Sequence, residues 1–202
     1  NFSEGRNKDV INKIVDAIAA VRVTCNGMQE RVKVLDVDPG EATNRTVVTF
    51  VGTPQAVLEA AFQGVKKAGE LIDMRNHTGA HPRSGATDVL PLIPVSNITL
   101  DECAALAREL AKRIYNELEI QCYCYESAAL KPERKNLAVC RSGEYEALAE
   151  KITNPDLCPD FGPSTFTQRA ATCGATNVGA RNFLIAVNYN LNTTSTRRAM
   201  AV

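Results

Sequence analysis

"RVKVLDVDPGEATNRTVVTFVGTPQAVLEAAFQGVKKAGELI", residues 31–72, places two runs of β-branched residues on either side of a turn-forming segment and follows them with a helix opening. The runs 31–38 and 45–52 flank "PGEATN", and that pattern predicts a hairpin with a medium-length loop. Thr53 then stands as an N-cap with Pro54 at the first helical position, while Val57, Leu58, Ala61 and Val65 share one face, so 53–72 is predicted as a helix.

Working outward, Val10, Ile11, Ile14, Val15 and Ile18 recur at helical spacing and predict an amphipathic helix over 7–21. Downstream, "DVLPLIPVS" (88–96) reads as a strand whose prolines confine it to an edge or bulged position. "TLDECAALARELAKRIYNEL" (99–118) reads as a helix opened by Thr99 with Glu102 three residues on, the capping-box pattern. "IQCYCYES" (120–127) has the composition of a central strand, and 132–152 predicts helix in two pieces broken at "RSGEYE". Residues 153–174 read as a long functional loop, "RNFLIAVNYNL" (181–191) as a strand, and the last residues as the cap and first turns of a helix. This order predicts an α+β fold: a mixed β-sheet covered by helices, in the manner of a ferredoxin-like plait.

Composition narrows the function. Lys and Arg total 23 against 23 Asp and Glu, Trp is absent and aromatics make up 5%, so neither a basic stripe nor a stacking platform for nucleic acid is evident. A small-molecule ligand fits this balance better. No apolar run approaches the roughly 18 residues a membrane span needs, and the polar "NFSEGRNKDV" opening has no signal-peptide core, so a cytoplasmic location is expected. The seven cysteines are scattered and odd in number, which suggests reduced thiols. Cys122 and Cys124 form a C-x-C pair able to take a soft metal, but without further ligands nearby in sequence they read as buried thiols.

Both histidines fall in "HTGAHPRSGATDVLPLIP", residues 77–94. Two histidines four apart could hold a metal from a helix face; here Gly79 and Pro82 break the helix and no metallohydrolase glutamate accompanies them. A structural loop is the other bland reading. Catalysis is favoured, because glycines permit close backbone approach, Pro82 stiffens His81, and an imidazole titrates near neutral pH. Arg83 could hold a carboxylate in two-point fashion, the alternative being an ion pair with Asp88. Asp38, at the end of its strand, could reach a site or simply form a turn.

"NFSEGR" (1–6), "LDVDPGEATNRTV" (35–47), "LIDMRNHTGAHPRSGATDVLPLIP" (71–94), "RSGEYEAL" (141–148), "PDFGPS" (159–164) and "GATNVGARNFLIAVNYNL" (174–191) together resemble the glutamate formiminotransferase family. The resemblance runs in family order across nearly the whole chain. It implies transfer of a formimino group from N-formimino-L-glutamate to N5 of tetrahydrofolate, in histidine degradation. Tetrahydrofolate is then the co-substrate, and no metal is needed. It implies His81 as general base, Asp38 beside the amidinium that develops, and Arg83 as a third catalytic residue. Folate contacts are implied at Gly162, Pro163, Ser164, Thr165 and Phe166, with Gly174 at the far end of that loop, and His77 in support of His81.

The family's transferase unit has two α/β halves with substrate between them. The expectation here is therefore an N-terminal subdomain over 1–178 and the start of an incomplete second one over 179–202. A non-catalytic folate-binding or interaction module of the same ancestry is the alternative. The apolar run 183–191 needs a partner to pack against, which predicts a homo-oligomer.

Overall fold

The computed structural model describes residues 1–185 and 191–200. Helix α1 (Lys8–Ala19) opens where Asn7 accepts the N–H groups of Asp9 and Val10, and it buries Ile11, Ile14 and Ile18. The hairpin foreseen at 31–52 forms from β3 (Lys33–Gly40) and β4 (Arg45–Val51), paired antiparallel with Asp38 opposite Val47 and Gly40 opposite Arg45. Ahead of it lies a short hairpin that the sequence reading passed over, β1 (Val23–Cys25) and β2 (Met28–Glu30). Its signal was present: Asn26-Gly27 supplies the two positive-φ residues, at 50° and 76°, that a tight hairpin turn requires.

Helix α2 (Pro54–Leu71) starts where predicted, although the Thr53 hydroxyl turns to Glu30 instead of capping the helix. After β5 (Val89–Leu92) comes α3 (Leu100–Leu118), whose capping box is complete, with Thr99 and Glu102 each bonding the other's backbone. Strand β6 (Cys122–Glu126), short helices α4 (Leu137–Cys140), α5 (Leu148–Thr153) and α6 (Gln168–Cys173), and strand β7 (Thr176–Ala180) complete the core. A last turn, α7 (Thr196–Ala199), is capped by Ser195.

β5, β7 and β6 form a parallel sheet in that order. The structure thus corrects the reading of 120–127 as a central strand: β7 holds the centre and β6 lies outside it. β6 reads as central because its outer edge is covered by the 159–163 segment, where Asp160 accepts the Cys124 N–H at 2.7 Å and Phe161 accepts the Cys122 N–H at 3.0 Å. β5, the strand with Pro91, is an outer strand as its prolines require. Phe2 joins this sheet to the hairpin through antiparallel bridges to Thr46 and Thr87. Antiparallel and parallel pairing therefore coexist beside packed helices, an α+β architecture. The described pairings do not include the four-stranded antiparallel sheet of a plait.

One core lies between α2, α3 and the parallel sheet, with Val65, Leu110, Ile114, Cys122, Cys124 and Val178 at its centre. A second lies between α1, α2 and the hairpins, around Phe2, Ile14, Ile18 and Ala60. Burying each large side chain contributes about 1.5–3 kcal/mol. The long loop read over 153–174 contains α6, opened by the Thr167 side chain on the Ala170 N–H. The division expected at 178/179 falls inside β7. Of the strand expected over 181–191, residues 181–185 form no regular element and 186–190 lie outside the described residues.

Candidate functional site

The histidine loop runs from the end of α2 to β5 and docks on the turn between β3 and β4. Asn44 in that turn donates its side-chain N–H to the Thr78 carbonyl at 2.9 Å, and the Ala80 N–H bonds the Ala42 carbonyl. At its other end the loop is fixed to the chain entering β7: Ala175 donates to Ser84, and Ala86 donates to Cys173.

His77 and His81 are held differently. His77 Nε2 lies 2.9 Å from the Asn44 carbonyl, which only accepts, while its Nδ1 accepts the Arg83 Nε–H at 3.2 Å. Both ring nitrogens are thereby committed, to the neutral Nε2–H tautomer. Burial, with the Arg83 charge adding to it, pushes the His77 pKa below its ordinary value. His81 is half-buried, and its Nδ1 lies 2.7 Å from the Pro82 carbonyl. A carbonyl has no proton to give, so Nδ1 carries the hydrogen of this bond, and in the neutral ring Nε2 is the nitrogen with the lone pair.

Arg83 is buried, and the structure uses every donor it has. Nε bonds His77, Nη1 reaches Glu144 at 3.0 Å and Glu146 at 2.7 Å, and Nη2 reaches Glu146 at 2.6 Å and the His77 carbonyl at 3.2 Å. The guanidinium holds the Glu146 carboxyl below the usual range. Asp88, the other partner considered for Arg83, is fully buried and belongs to Arg141 at 2.5 Å and to the Ser84 N–H at 3.0 Å. Glu144 and Glu146 sit in the "RSGEYE" break between α4 and α5. No local signal connects that stretch with the histidines, since the contact spans some sixty residues. An open groove of about 510 Å³ is lined here by Thr78, Gly79, Arg83, Gly143, Glu144 and Glu146.

Asp38 is exposed on β3, in the strand that leads into the docking turn. Gly174 comes directly to the loop: a Cβ there would lie 2.1 Å from the Ser84 carbonyl oxygen, and its φ of +67° with ψ of −149° suits only glycine. The segment Gly162–Phe166 lies beside the start of β6, where the buried Gln121 donates to the carbonyls of Pro163 at 2.6 Å and Thr165 at 3.1 Å. Ser164, Thr165 and Phe166 are exposed. This segment and the histidine loop meet the same, N-terminal edge of the parallel sheet, on opposite outer strands. No hydrogen bond among the described residues joins them.

No group of three or more His, Cys, Asp and Glu side chains suited to a metal exists among the described residues. Burial raises the thiol pKa of Cys122 and pushes that of Cys124 to about 12, so the C-x-C pair consists of protonated core thiols. No helix is long and apolar enough to cross a membrane among the described residues.

Residues 1–181 match the family described as the formiminotransferase domain, N-terminal subdomain. The formimidoyltransferase-cyclodeaminase of Rattus norvegicus is 47% identical over 194 residues, covering 96% of this chain and 34% of the relative. The glutamate formimidoyltransferases of Thermoplasma acidophilum and Streptococcus pyogenes are 46% and 45% identical, each match covering 96% of this chain and 61% of the relative. The chain thus spans about a third to three fifths of the length of these relatives.

Proposed function

The chain belongs to the formiminotransferase domain family, as its N-terminal subdomain, and from that premise we propose that it takes part in moving a formimino group from N-formimino-L-glutamate to N5 of tetrahydrofolate. His81 is the general base. The observation that carries this reading is the His81 Nδ1–H bond to the Pro82 carbonyl, which orients the ring and leaves Nε2 as a free acceptor.

In the reaction, folate N5 attacks the formimino carbon and its proton passes to His81 Nε2. The tetrahedral intermediate then breaks its bond to the glutamate nitrogen, which takes the proton back from His81. The formimino carbon is activated by protonation of its own nitrogen, with Asp38 stabilising that amidinium. Arg83, its donors already used, serves as a positioning residue. It ties the His77 end of the loop to Glu144 and Glu146, and His77 supports His81 through it. Gly162, Pro163, Ser164, Thr165 and Phe166 offer the folate a backbone ridge anchored on Gln121, with Phe166 available to the ring system. Gly174 seats the histidine loop. The reading places the chain in histidine degradation and one-carbon metabolism, in the cytoplasm.

The test is formimino transfer by this chain and by its His81→Ala variant. General-base catalysis contributes roughly 10²–10⁴-fold, so the variant should lose that much activity with its fold unchanged. Equal rates in the two proteins would remove His81 from the mechanism. The subdomain over 1–178 supplies one side of the site, and residues from 179 onward begin the second. Phe183, Leu184 and Ile185 are 72%, 68% and 89% exposed, an apolar strip that favours association with a second copy. Size-exclusion chromatography should give an apparent mass above that of the monomer; a clean monomer at all concentrations counts against association.

A further inference from the structure

Arg83 has no donor to spare, so an anionic substrate must find its cation elsewhere near the histidine loop. Arg45 opens β4 and is half-buried, yet its guanidinium makes no hydrogen bond or ion pair among the described residues, and its Nε is buried without a partner. Backbone ties place it at the loop. Asn44, the residue before it, bonds both His77 and Thr78. Thr46, the residue after it, accepts the Phe2 N–H at 2.9 Å, and Asn1 in turn accepts the Asp88 N–H at 3.1 Å. One strip of backbone therefore separates Arg45's strand from Asp88. Arg141, bonded to Asp88, likewise has its Nε buried without a partner. Burial and then the Arg141 charge lower the Arg45 pKa, against the pull of Asp88 and Asp38, so the two guanidiniums repel across this site.

Asp38 stands directly opposite Val47, and Val47 lies two residues from Arg45, so Asp38 and Arg45 share one face of the hairpin. An exposed carboxylate beside an unpartnered guanidinium is complementary to a ligand with a cationic nitrogen group next to a carboxylate.

We propose that Arg45, backed by Arg141, binds a glutamyl carboxylate of the substrate. This assignment rests on the transfer reading above. Two sources share the chemistry, the glutamate of the formimino donor and the glutamate tail of folate. The adjoining Asp38 favours the donor, in which the α-carboxylate neighbours the amidinium. A guanidinium fork meeting a carboxylate gives paired charge-assisted hydrogen bonds, which Lys cannot reproduce.

The test is calorimetric titration of the chain with L-glutamate and, separately, with 5-formyltetrahydrofolate carrying one glutamate. Arg45→Gln should weaken L-glutamate binding by about 10- to 100-fold, the effect of losing a charged hydrogen-bond pair, and leave the folate unaffected. Arg45→Lys, which keeps the charge if the glutamine variant does not fold, should recover only part of the affinity. A loss confined to folate overturns the assignment to the donor. Unchanged glutamate affinity in a variant with wild-type circular dichroism overturns the subsite, as does an absence of glutamate binding to the unmodified chain. Because the readout is binding, glutamate binding through Arg45 together with transfer that His81→Ala leaves unchanged sinks the transfer reading and leaves the subsite standing.

Discussion

His77 and His81 differ in role because their hydrogen bonds differ. His77 has both ring nitrogens committed, and a second proton would have to sit on Nδ1 against the Arg83 Nε–H. Its folded pKa is lowered, chiefly by burial, so between that value and the unfolded value of about 6.5 the unfolded chain binds more protons than the folded one. Stability then rises with pH through this window: the contribution is full above about 6.5 and is lost as pH falls toward the lowered folded value. Thermal melts from pH 8 to pH 5 should show a decline that begins near 6.5 and becomes shallower in His77→Gln. Melting temperatures that climb as pH falls through that range would contradict the tautomer assigned here. Glu146 is held low by Arg83 and so adds its own acid sensitivity only further down, below about 4.5. In the sequence the two histidines looked alike; each ring meets one carbonyl, of Asn44 or Pro82, and the Arg83 Nε–H on His77 Nδ1 separates a structural imidazole from one with a free lone pair.

At the scale of elements, the site is a loop clamped between the β3–β4 turn, the start of β7 and the α4–α5 break. Gly174 governs the second of these contacts. Its backbone conformation alone costs another residue about 1–3 kcal/mol, and a Cβ would also collide with the Ser84 carbonyl at 2.1 Å. Gly174→Ala should therefore destabilise the chain by at least that amount in urea denaturation. It should also reduce formimino transfer by displacing the loop that presents His81; full stability in the variant would show that the contact yields easily. Local signals marked the long elements. The capping box at Thr99, the Thr53-Pro54 start and the helical spacing of Ile11, Ile14 and Ile18 all act within one or two turns of chain. The Asn26-Gly27 hairpin was equally legible and was missed, whereas the place of β6 at the sheet's outside was not, because its outer edge is covered by a segment some forty residues away.

Across the whole molecule, Cys103, Cys122, Cys124, Cys140 and Cys173 are buried, and only Cys25 and Cys158 are partly accessible. Burial raises the Cys140 thiol to about 11 and the Cys124 thiol to about 12, so few of these groups are ionised near neutral pH. A thiol-reactive dye at pH 8 should label the two accessible cysteines readily and the other five only after unfolding; rapid labelling of all seven would mean that the cores around α3 and β6 open easily. The same whole-chain packing decides which charges are free. The sequence by itself determined the long helices, the main hairpin, the α+β class and the loop in which both histidines lie, since each depends on residues close together in the chain. Tertiary structure alone decided which arginine is saturated and which is not. Arg83 meets Glu144 and Glu146 across some sixty residues, while Arg45, in a motif no less polar, has an unpartnered guanidinium among the described residues. An ion pair depends on where two distant segments of chain come to rest, and residue order does not record that distance.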